Sequence, residues 1–416
     1  MLKIKGGNLL KGVIEVKGSK NASLALIVAS LLNKGEVKLY NVPDILDVRR
    51  LLNILKYLNV NVNFKDNILI LDSSKIEYKS LLIDEVKKIR ASSYLMGAFL
   101  SLFNKVEIFN PGGCNFSNRP IDFHLNGFKE FGAIIQENEN LIINLDNIKS
   151  GYYKIPKISV GTTINLLLFG ALKNNLLIID NVALEPEVEE VIDFLSLMGV
   201  EIIKIKERTL LIKGNKSLNK NVEYHVKNDR IEAASLALLG ASIGDNLEIK
   251  GFNIYDNLYL LNIFLKLNVP FKLGVNSLTI SKYVDFEGIE LETNPYPLLP
   301  TDIQPLLSVF LSLGKSSSII KENIYPKRNN YIKELNKLNY NLNVNNNSII
   351  INNSNNLKGS HLVGEDLRGT FALLMGSLIS DNTSYLKGKE YIERGYEDIF
   401  NRLRKIGANI EEISSY

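Results

Sequence analysis

The sequence repeats one structural pattern six times, and this repeat most strongly limits the fold that the chain can adopt. In each copy an amphipathic stretch ends in an apolar residue followed by Asn or Gly, and an alternating, strand-like run begins directly afterwards. Asn and Gly best tolerate the left-handed conformation in which many helices end. The pattern therefore predicts helix stops roughly every 70 residues, at Leu58-Asn59-Val60, Phe131-Gly132-Ala133, Met198-Gly199-Val200, Leu267-Asn268-Val269, Leu338-Asn339-Tyr340 and Ile406-Gly407-Ala408.

A second strand follows the first in all copies except the last. We predict these second strands at residues 68–71, 141–145, 209–212, 277–280 and 348–351, because each alternates apolar and polar residues. The sixth copy reaches Tyr416 before a second strand appears. We predict that the N-terminal residues 2–4 supply this strand.

Each copy also contains an earlier helix that is apolar on nearly every side, which is typical of a buried helix. These helices are predicted at approximately residues 21–32, 91–103, 162–172, 230–243, 302–313 and 367–379. Polar or charged residues stand beside the start of every one. Among them Ser159, Asp229, Thr301 and Asp366 are predicted N-caps, because a short oxygen-bearing side chain satisfies the free amides of the first turn.

Cations stand at the start of four of these helices, at Lys20, Arg90, Arg230 and Arg368. A positive charge there opposes the helix dipole at a cost of about 0.3 kcal/mol or more. The position becomes favourable if an anion is held between the cation and the helix N-terminus. The alternative is that these side chains point into water. Because a cation occurs at four of the six equivalent helix starts, we favour anion binding.

The repeat predicts two domains of three copies each. The first runs from residue 20 to residue 227, and the second combines residues 1–19 with residues 228–416. A length of 416 residues is compatible with two domains of about 200 residues each.

Composition excludes several classes of protein. A single cysteine rules out an internal disulfide, and three scattered histidines provide no metal-ligand cluster. The N-terminus lacks a signal-peptide core, and the longest apolar runs are too short to span a bilayer. The net charge of +4 comes from interspersed charges without a basic block. We therefore expect a cytoplasmic protein that binds neither nucleic acid nor membrane.

The single cysteine, Cys114, lies in the stretch NPGGCNFSNRPIDFH from Asn110 to His124. Pro-Gly-Gly cannot continue a helix or a strand, so the cysteine is predicted on a loop. This loop follows a short predicted strand at residues 106–109 and precedes Arg119. A thiol on such a loop is compatible with catalysis on an anionic substrate or with a free, inert cysteine.

Several stretches together resemble the enolpyruvyl transferases, and the similarity covers essentially the whole chain. These stretches are Gly18-Ser19-Lys20-Asn21-Ala22, Ile89-Arg90-Ala91-Ser92, the PGGC loop with Arg119 to His124, Lys157 to Thr162, Glu185-Pro186-Glu187, Asp229 to Glu232, Pro300 to Gln304, Asp366-Leu367-Arg368 and Arg394 to Glu397. Each stretch alone is a weak signal, but all of them in this order are specific.

The resemblance implies an α/β (α+β) fold of two inside-out α/β barrels, each with three βαβαββ units, buried helices and outer sheets. It also implies transfer of the enolpyruvyl group of phosphoenolpyruvate to the 3-hydroxyl of UDP-N-acetylglucosamine, with release of phosphate. That reaction is the first committed step of peptidoglycan synthesis. The two small-molecule substrates are the expected partners, and neither a metal nor another cofactor is expected.

The resemblance further implies roles for individual residues. Cys114 is expected to be the general acid and Asp302 the base, with Lys20 and Arg394 as further catalytic residues. The expected phosphoenolpyruvate contacts are Lys20, Asn21, Arg119, Arg328, Arg368 and Arg394. The expected nucleotide-sugar contacts are Arg90, Arg119, Pro120, Ile121, Asp122, Phe123, Lys157, Ser159, Val160, Gly161, Asp302 and Ile324. For Asp302 the residues alone favour a simple carboxylate at a helix start.

Two other functions stay open. The first is the shikimate-pathway enolpyruvyl transferase, against which the PGGC loop and the stretch Arg119 to Asp122 argue. The second is a non-catalytic nucleotide-sugar-binding regulator with the same fold. The presence of Lys20, Cys114, Asp302 and Arg394 argues against the regulator, because a binding protein does not need the thiol.

Overall fold

All six predicted helix stops are confirmed in the computed structural model, which describes residues 1–109 and 121–414. Each adopts the left-handed backbone conformation, with φ of 64°, 54° and 74° at Asn59, Asn268 and Asn339, and of 105°, 113° and 109° at Gly132, Gly199 and Gly407. A strand begins within three residues of every stop.

The described residues form helices and short strands that alternate along the chain. The α-helices are α1 (Lys20–Ser30), α2 (Leu46–Tyr57), α3 (Asp84–Lys88), α4 (Tyr94–Phe103), α5 (Asp122–Glu130), α6 (Val160–Gly170), α7 (Pro186–Met198), α8 (Arg230–Ile243), α9 (Leu258–Lys266), α10 (Gln304–Leu311), α11 (Asn330–Asn336), α12 (Leu367–Ile379), α13 (Lys389–Glu393) and α14 (Ile399–Lys405). Short 3-10 helices span Arg90–Ser93, Tyr255–Asn257 and Thr301–Ile303. The strands are β1 (Leu2–Lys5), β2 (Val13–Glu15), β3 (Val37–Tyr40), β4 (Asn61–Lys65), β5 (Ile68–Asp72), β6 (Lys105–Ile108), β7 (Ile134–Glu137), β8 (Leu141–Asn144), β9 (Gly151–Lys154), β10 (Leu176–Asp180), β11 (Glu201–Lys206), β12 (Thr209–Lys213), β13 (Val222–His225), β14 (Leu247–Lys250), β15 (Phe271–Gly274), β16 (Ser277–Ile280), β17 (Glu290–Glu292), β18 (Ser318–Lys321), β19 (Asn341–Asn345), β20 (Ser348–Asn352), β21 (His361–Val363), β22 (Thr383–Lys387) and β23 (Asn409–Glu412).

Contacts divide the described chain into two compact units. The central unit contains residues 18–109 and 121–227, and the terminal unit contains residues 1–17 and 228–414. The sheets of the central unit have the strand orders β13-β3-β5-β4, β6-β8-β7 and β11-β12-β10-β9. Those of the terminal unit have the orders β15-β16-β14-β2, β17-β18-β20-β19 and β21-β22-β1-β23. The sequence predicted two domains with a boundary at residue 20. That these domains fold independently stays a prediction.

The N-terminal strand β1 completes the last repeat, as predicted. It pairs antiparallel with β22 and with β23, so it lies between them in the sheet. In the sheet β11-β12-β10-β9 of the central unit, β12, the last strand of its repeat, lies between β11 and β10 in the same way. Strand β1 therefore takes the place of the second hairpin strand that the sixth repeat lacks.

Each unit has a core of its own, built around the three helices that the sequence predicted to be buried. In the central unit these are α1, α4 and α6, and in the terminal unit α8, α10 and α12. All 14 residues of α8 are buried, and α12 is buried at all but its first and last residues. The sheets present one face to these helices and the other to solvent, as the alternating burial along β5 and β20 shows. The predicted α/β fold with inner helices and outer sheets is confirmed.

The N-caps follow the sequence prediction at three helices and depart from it at one. Ser159, Asp229 and Asp366 each accept hydrogen bonds from the first-turn amides of their helices. Thr301 does not cap a helix, because it is the first residue of a 3-10 turn whose N-cap is Pro300. Its hydroxyl instead donates to the buried carboxylate of Glu322 at 3.0 Å. Ser19, which was not predicted, caps α1 by accepting from the amide of Ala22.

Side chains therefore cap the N-terminal ends of four of the inner helices, α1, α6, α8 and α12. None of the helices within the described residues is both long and apolar enough to cross a membrane.

Loss of the Ile4 side chain should destabilise the terminal unit, because Ile4 is fully buried in β1 and lies opposite Ser384 and Ile410. We expect Ile4→Ala to lower the free energy of unfolding by about 2–5 kcal/mol. Val13→Ala is the matched control, since Val13 is 47% exposed on β2 of the same unit, and its expected effect is about 0.5 kcal/mol or less. Denaturant unfolding measures both, and equal losses would contradict the role of β1.

Candidate active site

The carboxylate of Asp302 lies between two buried arginines of the terminal unit. Arg328 Nη1 donates to Asp302 Oδ1 at 2.8 Å, and Arg368 Nε donates to Asp302 Oδ2 at 3.2 Å. Both arginine side chains are only 4% exposed, whereas that of Asp302 is 27% exposed. Each guanidinium group therefore binds a different oxygen of the Asp302 carboxylate. The structure thus brings together three residues that the sequence predicted for this site.

Arg368 is held by an aromatic residue as well as by charge. Its guanidinium lies 5.3 Å from the ring centroid of Tyr396, and that ring stacks on Phe371 at 4.2 Å. The Tyr396 hydroxyl is 2.9 Å from Ser235 Oγ on α8. Burial opposes the charge of Arg368, but Tyr396 and the carboxylates of Asp302 and Asp229 raise the pKa of Arg368 above its ordinary value. Arg368 therefore stays a cation in the interior.

Further charged groups lie at the start of α8 in the same unit. Asp229 caps the helix, and Arg230 is 8% exposed with its guanidinium 5.5 Å from the ring of Tyr296. Burial raises the pKa of Tyr259, and the charges of Arg230, Asp229, Asp302 and Arg368 all act on that hydroxyl. The starts of α8 and α12 and the turn that carries Asp302 therefore form one charged cluster.

Lys20 opens α1 of the central unit and is paired with a carboxylate. Its Nζ lies 3.0 Å from Asp47 Oδ2 on α2, and the Asp47 side chain is 3% exposed. Arg50 lies on the other side of the same carboxylate, at 3.8 Å. The alternative that the cations at helix starts point into water is wrong for Lys20, Arg230 and Arg368, since all three are largely buried.

His124 connects α5 to the start of α6. Asn165 Nδ2 lies 2.9 Å from His124 Nδ1, and Asn165 Oδ1 accepts from the amide of Gly97 on α4. The amide of Asn165 thus donates to Nδ1, which leaves the proton of the neutral ring on Nε2. A Cβ added at Gly161 would lie 3.1 Å from His124 Cε1, so the ring edge lies against the first turn of α6. Burial first, and then the charge of Arg90, lower the pKa of His124 to about 3.

The other predicted contacts of the central unit lie around the same helix start. Ser159 is the N-cap of α6, Val160 and Gly161 are its first two residues, and Lys157 lies just before them. Asp122 opens α5 and Ile121 precedes it, while the carbonyl of Phe123 accepts from the Tyr153 hydroxyl at 2.9 Å. A helix start with a neutral ring and a nearby arginine can hold an anion.

Three further predicted residues lie at or near the ends of secondary-structure elements. Asn21 is the second residue of α1, Ile324 follows β18, and Arg394 directly follows α13, two residues before Tyr396. Cys114, Arg119 and Pro120 lie outside the described residues. Within the described residues, no group of three or more His, Cys, Asp or Glu could hold a metal ion.

Sequence reasoning did not single out the partners that hold the predicted residues. Asp47 pairs with Lys20, Tyr396 lies against Arg368, Asn165 orients His124, and Glu322 binds the turn before Arg328. Tyr396 and His124 lay within the stretches that carry the family resemblance, so those stretches contained a signal for them. Asp47, Asn165 and Glu322 lie outside those stretches.

Comparison with a solved structure identifies the fold. The enolpyruvyl transferase NikO from Streptomyces tendae superimposes with a TM-score of 0.92 over 100% of this chain and 99% of its own, at 21% identity. At this identity the comparison concerns the fold alone, and the fold is that of an enolpyruvyl transferase.

Sequence comparisons identify the family of the chain. Residues 4–403 match the family model described as EPSP synthase (3-phosphoshikimate 1-carboxyvinyltransferase). A relative from Listeria monocytogenes named UDP-N-acetylglucosamine 1-carboxyvinyltransferase 2 is 35% identical over 99% of this chain and 97% of its own. A relative of the same name from Staphylococcus epidermidis is 33% identical over 99% of this chain and 98% of its own. The chain belongs to the enolpyruvyl (carboxyvinyl) transferase family, which confirms the resemblance inferred from its motifs.

The depressed pKa of His124 should make the protein less stable in acid. An unfolded histidine binds a proton below its ordinary pKa of 6.5, whereas folded His124 does so only near pH 3. The unfolded state therefore binds more protons between these values, and the free energy of unfolding falls as the pH falls through that window, by up to about 1.4 kcal/mol per pH unit. We expect His124→Gln to reduce this slope, as measured by denaturant unfolding between pH 7 and pH 4.

The same replacement at His225, which is exposed on β13, is the matched control for loss of a histidine. If His124→Gln and the parent protein lose stability with the same slope, His124 is not the buried neutral ring that the structure describes.

Proposed function

We propose that this chain transfers the enolpyruvyl group of phosphoenolpyruvate to the 3-hydroxyl of UDP-N-acetylglucosamine and releases phosphate. One observation carries this proposal: relatives that are 33–35% identical over nearly the full chain bear the name UDP-N-acetylglucosamine 1-carboxyvinyltransferase. The reaction would be the first committed step of peptidoglycan synthesis. It requires no metal and no organic cofactor.

The shikimate-pathway transferase is the main alternative, because the matching family model carries the name of that enzyme. The full-length relatives at 33–35% identity bear the other name. The PGGC stretch and the residues from Arg119 to Asp122 also resemble the transferases that use UDP-N-acetylglucosamine. These features favour the nucleotide sugar as acceptor.

Phosphoenolpyruvate carries a phosphate and a carboxylate in a small volume, so several cations must hold it. We assign this role to Lys20, Asn21, Arg119, Arg328, Arg368 and Arg394. Arg328 and Arg368 are supported by their burial as cations, because both guanidinium groups lie in the interior of the terminal unit beside the partly exposed carboxylate of Asp302. Lys20 is supported by its position at the start of α1.

The nucleotide sugar has its own proposed set of contact residues. We assign Arg90, Arg119, Pro120, Ile121, Asp122, Phe123, Lys157, Ser159, Val160, Gly161, Asp302 and Ile324 to this substrate. The start of α6 supports the assignment, because the first amides of a helix suit a diphosphate. The neutral His124 and the charged Arg90 beside that helix start add a favourable environment for an anion.

The reaction is proposed as addition followed by elimination. In the addition, the sugar oxygen bonds to the middle carbon of phosphoenolpyruvate, Asp302 takes the hydroxyl proton, and Cys114 gives a proton to the methylene carbon. In the elimination, the carbon–oxygen bond to phosphate breaks, the new methyl group returns a proton to the Cys114 thiolate, and the double bond forms again. The proton on Asp302 leaves with the released phosphate, which restores the enzyme. Arg328 and Arg368 orient the Asp302 carboxylate for this role, because each donates a hydrogen bond to a different one of its oxygens.

The domain and cellular assignments belong to the same proposal. We assign residues 20–227 to one domain, with residues 1–19 and 228–416 as the other, and we place the reaction in the cytoplasm, where both substrates would be available.

Release of phosphate tests the acceptor. The protein should release phosphate from phosphoenolpyruvate when UDP-N-acetylglucosamine is added, and shikimate 3-phosphate should not support release. Release with shikimate 3-phosphate alone would transfer the assignment to the shikimate-pathway enzyme. Release with neither acceptor, combined with binding of the nucleotide sugar by calorimetry, would leave the non-catalytic regulator.

Removal of the thiol tests the general acid. Cys114→Ala should lower kcat by at least about 100-fold, because the proton donor to the methylene carbon is lost. Binding of UDP-N-acetylglucosamine, measured by calorimetry, should be retained. A variant with near-normal turnover would remove Cys114 from this role.

The epoxide antibiotic fosfomycin provides an independent measurement at the same residue. It should alkylate Cys114, and the added mass is easily assigned because the chain contains one cysteine. Cys114→Ala is the control, since it should gain no mass. An unmodified Cys114 in treated protein with occupied substrate sites would count against a reactive thiol.

A further inference from the structure

Glu322 is a buried carboxylate that lies outside every predicted site. It directly follows β18 in the terminal unit and is only 1% exposed. Oε1 accepts hydrogen bonds from the Thr293 hydroxyl at 2.8 Å and from the amides of Ile324 and Tyr325 at 2.9 Å each. Oε2 accepts from the Thr301 hydroxyl at 3.0 Å. Four donors therefore hold this carboxylate, three at Oε1 and one at Oε2.

One branch of these contacts leads to Asp302. Thr301 precedes Asp302 in the same 3-10 turn, so the hydrogen bond from the Thr301 hydroxyl restrains the backbone on which Asp302 stands. The sequence predicted this hydroxyl to cap a helix. It instead fixes the 3-10 turn to the carboxylate of Glu322.

The other branch leads to Arg328. Glu322 binds the amide of Tyr325, and the carbonyl of Tyr325 accepts from the amide of Arg328 at 2.8 Å. The Arg328 guanidinium also lies 5.3 Å from the Tyr325 ring centroid. Since Arg328 donates to Asp302 at 2.8 Å, the two branches close into a ring of contacts.

We propose that Glu322 is a positioning residue for the proposed reaction. Through Thr301 it fixes the position of Asp302, and through the turn at Tyr325 it fixes the position of Arg328. It does not touch the reacting atoms. If Glu322 served stability alone, its four hydrogen bonds would matter only for folding. Loss of the Thr293 hydroxyl and loss of the Thr301 hydroxyl would then have equivalent effects on kcat. A positioning role makes them different, because only Thr301 is bonded to Asp302 along the chain.

The experiment compares two losses of one hydroxyl each. Thr301→Val and Thr293→Val both remove a donor to the same carboxylate, and Thr293→Val also removes the acceptor for the amide of Asn323 at 3.0 Å. A purely structural role therefore predicts that Thr293→Val lowers stability and kcat at least as much as Thr301→Val does. We expect the opposite in kcat: a loss of about tenfold for Thr301→Val, because small displacements of a catalytic group are costly, and a loss below about threefold for Thr293→Val.

Three readouts make the result decisive. KM for the acceptor should change less than about threefold in Thr301→Val, and Thr301→Ser, which restores the hydroxyl, should recover most of kcat. Melting temperatures report on stability and should fall at least as much for Thr293→Val as for Thr301→Val. Equal losses of kcat in both valine variants, or no recovery in Thr301→Ser, would overturn the positioning role.

The inference rests on the proposed function but is tested separately from it. Turnover of the parent enzyme is first established with UDP-N-acetylglucosamine or with shikimate 3-phosphate, and the variants are compared with whichever acceptor is used. A failure of the acceptor assignment therefore leaves the comparison intact. Glu322→Ala is a poorer test, because it leaves two amides and two hydroxyls unsatisfied in the interior and the protein could fail to fold.

Discussion

A helix that is apolar on every side must lie in the interior, and this requirement organises both units of the protein. Helices α1, α4 and α6 form the centre of one unit, and α8, α10 and α12 form the centre of the other. The sheets then cover these helices with one face and meet solvent with the other. Because the helix starts carry charged residues, burial of the helices also brings charges such as Arg230 and Arg368 into the interior.

Charges in the interior need partners, and the partners build the candidate site. Breaking a buried ion pair leaves one charge uncompensated, which commonly costs about 3–5 kcal/mol. Arg328 and Arg368 share Asp302, and Lys20 has Asp47. Glu322 shows the same principle with neutral donors. A protein selected for stability alone would bury apolar residues at such positions, so these pairs are best understood through the anionic substrate that we propose.

Thr301 shows how tertiary contacts override a local signal. A threonine before an apolar helix usually accepts hydrogen bonds from the first-turn amides. Here the chain enters α10 through a 3-10 turn, and the buried carboxylate of Glu322 takes the hydroxyl as a donor. The opposite case is Asp366, whose carboxylate accepts from the amides of Arg368 and Gly369 as its local sequence predicts.

The sequence by itself determined the six left-handed helix stops, the six buried helices and the N-terminal strand β1 that completes the last repeat. These features follow from residue periodicity, from the tolerance of Asn and Gly for positive φ, and from an incomplete last repeat. Only the tertiary structure decided which partner each charge meets. Asp302 is 26 residues from Arg328 and 66 from Arg368, and such contacts arise from the packing of whole helices, which no local pattern in the chain records.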